Sequence, residues 1–535
     1  MNSHARNAKC PASAATPEDS ARARAAVSRL GADRGESGRF RPGPACRRCI
    51  DVHHRSQPLD QFLATLNGLI WSKALIALCL GAGLYFSIRT RFMQIRHVPE
   101  MIHLLLSGKS SRAGVSSFQA LAISLSGRVG IGNIAGVATA IAFGGPGAVF
   151  WMWVMAFLGA STAYVESTLA QIYKEKDDEG RYRGGPAYYI EKAMGQRWYA
   201  WLFAIVTIVA TGFFLPGVQA NGIASGMENA WGIAPTVTAT GVVIALGFII
   251  FGGVKRIARF AEVVVPFMAL AYMLVAFVIL VLNVEQVPEM VSLIFRSAFG
   301  MEAGFGAMLG LAVEWGVKRG IYSNEAGQGT GPHAAAAAEV SHPAKQGYVQ
   351  AFSVYVDTLL VCSATAFMIL STGMYNVATP DGSMLVEALP GIEAGPGFAQ
   401  AAVESVLPGY GAGFVALALL FFAFTTIVAY YYMAETNIAY INRKVHRPWM
   451  TLVLRIAILV AVILGAVRSA GAAWTLGDIG VGLMAWLNIV AILILQKPAL
   501  VALRDYERQK KDGHDPTFDP EALGIRNAAF WVRKE

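Results

Sequence analysis

Residues 126–133 combine groups that could bind a small ligand with a backbone that does not favour a continuous helix. The segment reads SGRVGIGN, so Gly127, Gly130 and Gly132 each favour opening of the helical hydrogen-bond ladder. In hydrocarbon an open ladder leaves N–H and C=O groups without partners, which is tolerated only inside protein or beside a hydrated cavity. Such breaks form ligand sites in transporters. The segment therefore predicts a broken transmembrane helix, in preference to close helix packing through a Gly132–Gly136 pair or a dinucleotide-binding loop.

The composition is that of a membrane protein. The chain has 535 residues, of which 55% are hydrophobic and 15% charged, whereas a soluble domain carries about 25% charged residues. The net charge of +9 does not indicate a nucleic-acid partner, because the basic residues cluster beside apolar segments. Five cysteines in so long a chain do not indicate a disulfide framework. The sequence shows no metal cluster, nucleophile elbow or phosphate-binding loop, so we expect neither an enzyme nor a resident cofactor.

Residues 1–58 have a composition that does not support a folded core. They are rich in Ala, Arg, Ser, Gly and Pro, so we expect a disordered basic tail. The tail lacks the apolar segment of a secretory signal peptide, and whether it belongs to the mature protein stays open. Cys46 and Cys49 with His53 and His54 resemble zinc ligands, but a lone CxxC in such a tail more often binds nothing.

Eleven apolar segments follow the tail and predict transmembrane helices of about 20 residues each. They form one membrane domain, residues 59–500, which is followed by a cytoplasmic tail, residues 501–535. The predicted segments are 62–88, 116–142, 147–173, 198–224, 235–252, 260–282, 299–319, 348–371, 411–438, 449–467 and 475–496.

Lysine and arginine indicate which side of the membrane each connection occupies. They follow the odd-numbered segments, as with Arg89, Arg91 and Arg96 after the first and Lys318 and Arg319 after the seventh. The 372–410 connection, by contrast, has four acidic residues and no basic one. Cytoplasmic connections are enriched in basic residues, so we predict an outside N-terminus and an inside C-terminus in a bacterial cytoplasmic membrane. The basic tail opposes this orientation.

The segments after the first divide into two sets of five, residues 116–282 and 299–496. Because five is odd, the second set enters from the opposite side, which gives a 5+5 inverted repeat preceded by one extra helix. The first helix of each set is rich in glycine, with SGRVGIGN in one and FGMEAGFGAMLG in the other. Interrupted helices in corresponding positions of two repeats indicate a transporter's binding site. We therefore predict an all-α polytopic fold of the leucine-transporter type.

Several segments are distinctive enough to indicate a family. They are GNIAGVATA, YRGGPAYYIEKAMG, LPGVQANGIASG, SNEAGQGTGPHAAAAA and FFAFTTIVAYYYMAETN. They resemble the alanine or glycine:cation symporter family over about residues 59–500. The resemblance implies a leucine-transporter fold and the import of alanine or glycine together with sodium. The chain departs from the family at Ile131, where many members have threonine.

A zwitterionic amino acid needs partners for its carboxylate and its ammonium group. Backbone N–H groups at the first break suit the carboxylate, and carbonyls of an opened second glycine-rich helix suit the ammonium. Phe305 could close over the side chain or pack in the core, and Gln219 could bind the ligand or a neighbouring helix. The predicted substrate-binding residues are Gly130, Ile131, Gly132, Asn133, Gln219, Ala303, Gly304, Phe305 and Gly306.

The resemblance also implies a sodium site, with sodium as co-substrate. Sodium needs several oxygen ligands at once, and in this fold carbonyls of the first broken helix meet hydroxyls of a later helix. The matching positions are Ser126, Val129, Phe422, Thr425 and Thr426. Threonine in a membrane helix often bonds its own backbone instead, and that alternative stays open.

Charged residues inside the predicted segments need partners, because each is costly in a membrane and usually functional. Arg128 lies in the break, and the carboxylates that could neutralise it are those of Glu166, Glu314, Asp357 and Glu435. Asp357 is in the middle of its segment and Glu314 near the inner end of its own, so we favour these two. A proton relay is the alternative role for Asp357.

SNEAGQGTGPHAAAAA lies at the predicted cytoplasmic end of the seventh segment. Its glycines predict a gating loop through Asn324, Glu325, Gly327 and Gly329, with an ordered connection as the alternative.

With the resemblance, the sequence predicts a secondary active symporter that imports a small neutral amino acid with sodium by alternating access. Proton coupling is the main alternative, followed by a channel or membrane receptor. The expected partners are alanine or glycine, sodium and the lipid bilayer, but no nucleic acid.

Overall fold

Helices dominate the computed structural model, which describes residues 61–105, 114–302, 305–447 and 449–532. The tail predicted to be disordered, residues 1–58, lies outside the described residues. Two small antiparallel hairpins, β1 (Glu175–Lys176) with β2 (Tyr182–Arg183) and β3 (Asn376–Ala378) with β4 (Met384–Glu387), lie in connections. Short π-helical stretches occur at Gly132–Gly136, Ile190–Met194, Ala210–Phe214 and Val356–Cys362, and 3-10 turns at Val284–Gln286 and Gly306–Met308.

The α-helices, numbered along the chain, are α1 (Lys73–Arg89), α2 (Met93–Arg96), α3 (Val98–Leu105), α4 (Ser117–Arg128), α5 (Val137–Gly144), α6 (Gly147–Ile172), α7 (Pro186–Tyr189), α8 (Arg197–Val209), α9 (Leu215–Trp231), α10 (Pro235–Ile250), α11 (Gly253–Leu282), α12 (Val287–Ala298), α13 (Leu309–Asn324), α14 (Gly331–Ala337), α15 (Pro343–Tyr355), α16 (Ser363–Thr372), α17 (Pro396–Val406), α18 (Gly411–Val445), α19 (Trp449–Ala466) and α20 (Ala470–Lys511).

In the part of the chain that the structure describes, 8 helices are long and apolar enough to cross a membrane, or 9 if one bent pair counts as a span. Each predicted segment overlaps a helix. However, α10 and α13 have only 16 residues each, which is about 24 Å of helix against a hydrocarbon core of roughly 30 Å. The chain is thus a predominantly helical, multi-pass membrane protein, and the count of eleven spans stays a prediction.

The first predicted break is confirmed. α4 begins with a capping box in which Ser116 and Gln119 each accept a hydrogen bond from the other's backbone N–H. It ends at Arg128, and helical structure resumes in the π-helical stretch Gly132–Gly136, which leads into α5. The helix axis bends by 52° at this point. Residues 129–131 therefore open the ladder where the glycines predict it.

The second break lies elsewhere than predicted. Ala303 and Gly304 are outside the described residues, and Gly306 begins a 3-10 turn that only precedes α13. The interruption is instead the segment 325–330 between α13 and α14, where Glu325, Gly327 and Gly329 have φ angles of 57°, 84° and 81°. Glycine adopts these left-handed angles without steric cost. The seventh predicted segment, 299–319, is therefore misplaced, and the broken helix is α13 with α14.

The two broken helices run side by side in opposite directions. Near the first break, a Cβ added to Gly132 would lie 3.2 Å from the Cα of Ser323, at the end of α13. At the far end of α5, a Cβ added to Gly144 would lie 3.1 Å from the carbonyl oxygen of Leu311, at the start of α13. Both breaks are therefore at the same level. An inverted repeat requires this arrangement, although the repeat as a whole stays a prediction.

The end of the chain packs onto the helices. α20 continues to Lys511, beyond the predicted segment 475–496, and the chain then turns back. Phe518, Ile525 and Ala528 are buried, and the indole N–H of Trp531 donates to the carbonyl of Gln171 (2.9 Å). The predicted C-terminal tail is therefore partly helix and partly a segment that covers the end of α6.

Candidate functional site

Side-chain amides engage the backbone donors of the first break. The N–H of Gly130 donates to Asn133 Oδ1 (2.8 Å), and the N–H of Ile131 donates to Gln219 Oε1 (2.9 Å). Gln219 lies on α9 and is buried. The structure thus brings Gln219 to the predicted substrate site. Its amide oxygen already accepts from the Ile131 N–H, one of the backbone donors predicted to bind the substrate carboxylate.

Two glycines at this point allow close approaches that another residue would prevent. A Cβ at Gly130 would lie 2.4 Å from Thr426 Oγ1 and 2.9 Å from Gln219 Oε1. A Cβ at Gly222, on α9, would lie only 2.0 Å from the Cδ1 atom of Ile131. The backbone of the break therefore packs closely against both α9 and α18.

A buried carboxylate joins the two broken helices. Asp357, which is 0% exposed, accepts hydrogen bonds at Oδ1 from Asn133 Nδ2 (2.6 Å) and from the hydroxyl of Ser323 (3.1 Å). Its other oxygen, Oδ2, accepts from the Thr358 hydroxyl (2.7 Å). Asn133 is on the first broken helix and Ser323 on the second, so Asp357 fixes their relative position.

Four of the predicted sodium-binding residues meet where α18 crosses the first break. The Thr426 hydroxyl donates to the carbonyl oxygens of Phe422 (2.9 Å) and Val129 (3.3 Å), and the Thr425 hydroxyl donates to that of Phe422 (2.9 Å). Ser126 lies one turn earlier on α4, with its hydroxyl bonded to its own helix. The oxygens converge as a cation site would require, and the backbone bonds that were the alternative are also present. Sodium binding stays a prediction.

Arg128 is buried beside the break, with 1% of its surface exposed. Its Nη1 donates to the carbonyl of Gln350 (3.2 Å) and to the hydroxyl of Ser353. Its Nε and Nη2 atoms have no hydrogen-bond partner among the described residues. The guanidinium is therefore only partly satisfied in this conformation.

The carboxylates that face Arg128 match those favoured by the sequence only in part, because Asp357 is among them and Glu314 is not. Its charge interacts with Glu325, Glu166 and Asp357. Of the other two predicted partners, Glu435 lies 3.5 Å from Arg183, and Glu314 interacts with Lys318. Glu325 was predicted only as a loop residue, because the sequence does not show that the loop folds back to Arg128.

The SNEAGQG loop is held by buried polar contacts. Glu166, on α6, accepts from the N–H groups of Gly327 (3.2 Å) and Gly329 (3.2 Å) and from Asn488 Nδ2 (2.6 Å). Asn324 Oδ1 accepts from the N–H of Ala326 (3.0 Å). The loop is thus an ordered connection in this conformation, and its role as a gate stays a prediction.

Comparison with known proteins identifies the family. The sodium:alanine symporter family matches residues 56–520 of the chain. The chain belongs to that family. Its relatives include the carrier protein YrbD of Bacillus subtilis (strain 168), which is 65% identical over 89% of this chain and 98% of that protein. The sodium/proton-dependent alanine carrier protein of Bacillus sp. (strain PS3) is 55% identical over 81% of this chain and 97% of that protein. The probable sodium/glutamine symporter GlnT of Bacillus subtilis (strain 168) is 43% identical over 88% and 95%.

This membership confirms the resemblance found in the sequence, and it makes the protein a membrane transporter and not an enzyme.

Some predicted residues of this symporter lie apart from the site. Phe305 packs against Gly145, whose added Cβ would lie 3.2 Å from the Phe305 ring. Phe305 and Gly306 precede α13, so about 20 Å of helix separates them from Ser323. Neither residue reaches the first break. The residues of α13 that lie beside it, next to Gly132, are instead Tyr322 and Ser323.

A cavity of about 650 Å³ lies on the side of the symporter that includes the 376–394 connection. Arg319 and Lys318 line it together with Asp478, which accepts from Arg319 (2.9 and 3.3 Å) and lies 2.8 Å from Lys318 Nζ. The Arg319 guanidinium also lies 4.4 Å from the ring centre of Trp474, and the ring centre of Tyr322 is 4.9 Å from that of Trp474. Lys318 and Arg319 were predicted to lie in a cytoplasmic connection, but their charges are paired with Asp478 inside this cavity.

Proposed function

We propose that this symporter imports alanine together with a cation by alternating access in the bacterial cytoplasmic membrane. The observation that supports this most directly is the Gln219 oxygen at the N–H of Ile131 (2.9 Å). An amino-acid carboxylate is the same kind of acceptor, and the positive end of the helix that starts at the break favours its charge. Substrate would displace the Gln219 oxygen, and the Gln219 amide nitrogen could then donate to the substrate.

The close packing around this donor supports a small substrate. Thr426 and Gln219 approach Gly130 so closely that even a methyl group there would clash, and Ile131 fills the gap at Gly222. Alanine is the first candidate, because the relative from Bacillus sp. (strain PS3) is named as an alanine carrier, and glycine is the second. The relative named for glutamine is less similar to this chain.

Sodium is the cation that the oxygen ligands favour. The site has two carbonyl oxygens, those of Val129 and Phe422, and two hydroxyls, those of Thr425 and Thr426. Each hydroxyl is hydrogen-bonded to at least one of these carbonyls, at oxygen–oxygen distances of 2.9 to 3.3 Å. Uncharged oxygens of this kind suit a hard monovalent cation. The relative from strain PS3 is named for sodium and for protons, so protons are the second candidate.

The two sides of the site differ in a way that supports alternating access. On the outer side, Tyr322, Trp474 and the Arg319–Asp478 pair lie between the 650 Å³ cavity and the break. On the other side, α14 and the SNEAGQG loop cover the break. Opening one cover while the other stays closed would move substrate across. We accordingly retain the predicted orientation, with the N-terminus outside and the C-terminus inside.

Counterflow in proteoliposomes tests this function directly. Vesicles with purified protein and a high internal concentration of unlabelled alanine should accumulate external labelled alanine when sodium is present on both sides. Unlabelled glycine should compete, and glutamine should compete poorly because of its longer side chain. Absence of alanine counterflow in vesicles that contain folded protein would contradict the proposal.

A further inference from the structure

Three buried carboxylates and one buried cation meet at the level of the two breaks. Glu166, Asp357 and Glu325 are each 0% exposed, and Arg128, whose charge interacts with all three, is 1% exposed. If all four groups are ionised, the cluster carries two more negative than positive charges. An unbalanced charge in a low-dielectric interior is costly. The cluster therefore needs positive charge from outside during the transport cycle.

Two of the three carboxylates are well provided with hydrogen-bond donors. Glu166 accepts from two backbone N–H groups and one side-chain amide, and Asp357 accepts from an amide and two hydroxyls, as described above. Donors of this kind stabilise the ionised form of a carboxylate. Both oxygens of each group thus accept a hydrogen bond in this conformation.

Glu325 lacks this support. Its Oε2 accepts from the hydroxyl of Thr330 (2.9 Å), but its Oε1 is buried and has no hydrogen-bond partner among the described residues. The phenol of Tyr430 also lies near this carboxylate and interacts with it. Protonation would turn this oxygen from an unsatisfied acceptor into a donor and remove a charge from the cluster.

The titratable groups that interact with Glu325 come from four elements. Arg128 faces it from α4, Asp357 from the π-helical stretch after α15, Tyr430 from α18 and Tyr322 from α13. The only cation among them is Arg128, which is shared with the other two carboxylates. Glu325 also has a left-handed backbone (φ 57°) at the start of the second break. It is therefore positioned where a change of conformation would alter its exposure.

We propose that Glu325 is the residue that binds a proton in this symporter, which adds a second coupling site to the proposed cation-coupled import of alanine. An O–H bond forms at its carboxylate from a hydronium ion on one side of the membrane. The bond breaks when water accepts the proton on the other side, and no electrons are transferred. A proton here and a sodium ion at the predicted site near Val129 together supply the two positive charges that the cluster lacks.

The test uses purified full-length protein in proteoliposomes with a trapped pH-sensitive dye and equal sodium on both sides. Addition of external alanine to the parent should acidify the lumen, because each alanine enters with a proton. In Glu325→Gln this acidification should be lost, whereas labelled-alanine counterflow should continue and become independent of pH, because the amide resembles the protonated acid. Glu302→Gln is the matched control, since Glu302 lies 3.3 Å from Arg296 at the surface, and it should behave as the parent does.

The outcomes separate this inference from the proposed function. If the parent shows no alanine counterflow, the proposed function fails. If it shows counterflow without acidification, alanine import stands and the proton site is overturned. Acidification that survives in Glu325→Gln but is lost in Asp357→Asn or Glu166→Gln also overturns it. Should Glu325→Gln not fold, Glu325→Asp retains an acid in a changed position. The pH midpoint of its counterflow should then shift, and an unchanged midpoint would count against Glu325.

Discussion

Removal of the Thr426 hydroxyl is the most informative perturbation of the predicted sodium site. This hydroxyl is within 2.9 Å of the Phe422 carbonyl and 3.3 Å of the Val129 carbonyl, so it connects α18 to the first break. The neighbouring Thr425 hydroxyl donates to the Phe422 carbonyl (2.9 Å) and to the Met268 sulfur (3.9 Å), both outside the first break. Thr426→Ala should therefore weaken sodium binding and also the coupling between sodium and substrate. Thr425→Ala should mainly weaken sodium binding.

The magnitude follows from the loss of one oxygen ligand. A lost partner of a charged group costs about 1–3 kcal/mol. This corresponds to an apparent sodium affinity about five- to 150-fold weaker, since 1.4 kcal/mol is about a factor of ten. Because linkage is reciprocal, the apparent alanine affinity measured at low sodium should fall with it in Thr426→Ala. Thr426→Ser retains the oxygen and should have a mild effect.

The assay is uptake of labelled alanine as a function of sodium concentration, with equal amounts of folded protein. Thr211→Ala is the matched control. Thr211 is also buried in an apolar helix, and its hydroxyl also bonds its own backbone, at the carbonyl of Thr207 (2.7 Å). The control removes the same group far from the break, so its sodium dependence should equal that of the parent.

A specific result would refute the reasoning. If Thr425→Ala and Thr426→Ala both retain the sodium dependence of the parent, these hydroxyls are not sodium ligands and the site assignment is wrong. If the parent itself ignores sodium and responds to pH alone, transport is driven by protons, and Glu325 becomes the coupling residue to examine first.

Three further predictions concern the break, the space beside it and the chain end. Arg128→Ala should abolish transport although the protein still inserts, and Arg128→Lys should also fail because lysine lacks the planar guanidinium; near-normal uptake by the alanine variant would contradict this. Gly222→Ala should weaken alanine binding through overpacking of about 1–3 kcal/mol against Ile131, whereas Gly241→Ala, with nothing within 4 Å, should not. Trp531→Ala should lower the melting temperature and leave alanine counterflow intact, because this indole anchors the chain end outside the site.

The sequence by itself predicted the features that depend on local chemistry. Three glycines within residues 126–133 open a helix wherever that helix lies, so the first break was found at the correct residues. Apolar composition over some 20 residues predicts a membrane helix without knowledge of its neighbours. The family resemblance was also visible, because it resides in contiguous segments such as SNEAGQG.

The second break shows where local signals mislead. Glycines occur both before α13 and after it, and the predicted break was placed in the first group (Gly300, Gly304, Gly306 and Gly310), because that group opens the predicted seventh segment. In the structure the interruption is at Gly327 and Gly329, which adopt left-handed backbone angles. Glycine permits such angles but does not impose them, so the tertiary environment decided which group is used.

Only the tertiary structure decided which distant residues meet. Three such meetings join residues far apart in the chain: those of Arg128 with its carboxylates, of Gln219 with Ile131, and of Arg319 with Asp478. The sequence contains several carboxylates that could pair with Arg128, and neither their charge nor their apolar surroundings in the chain distinguishes one from another. Which of them face it depends on how helices pack and where loops return, and those long-range contacts leave no local pattern in one sequence.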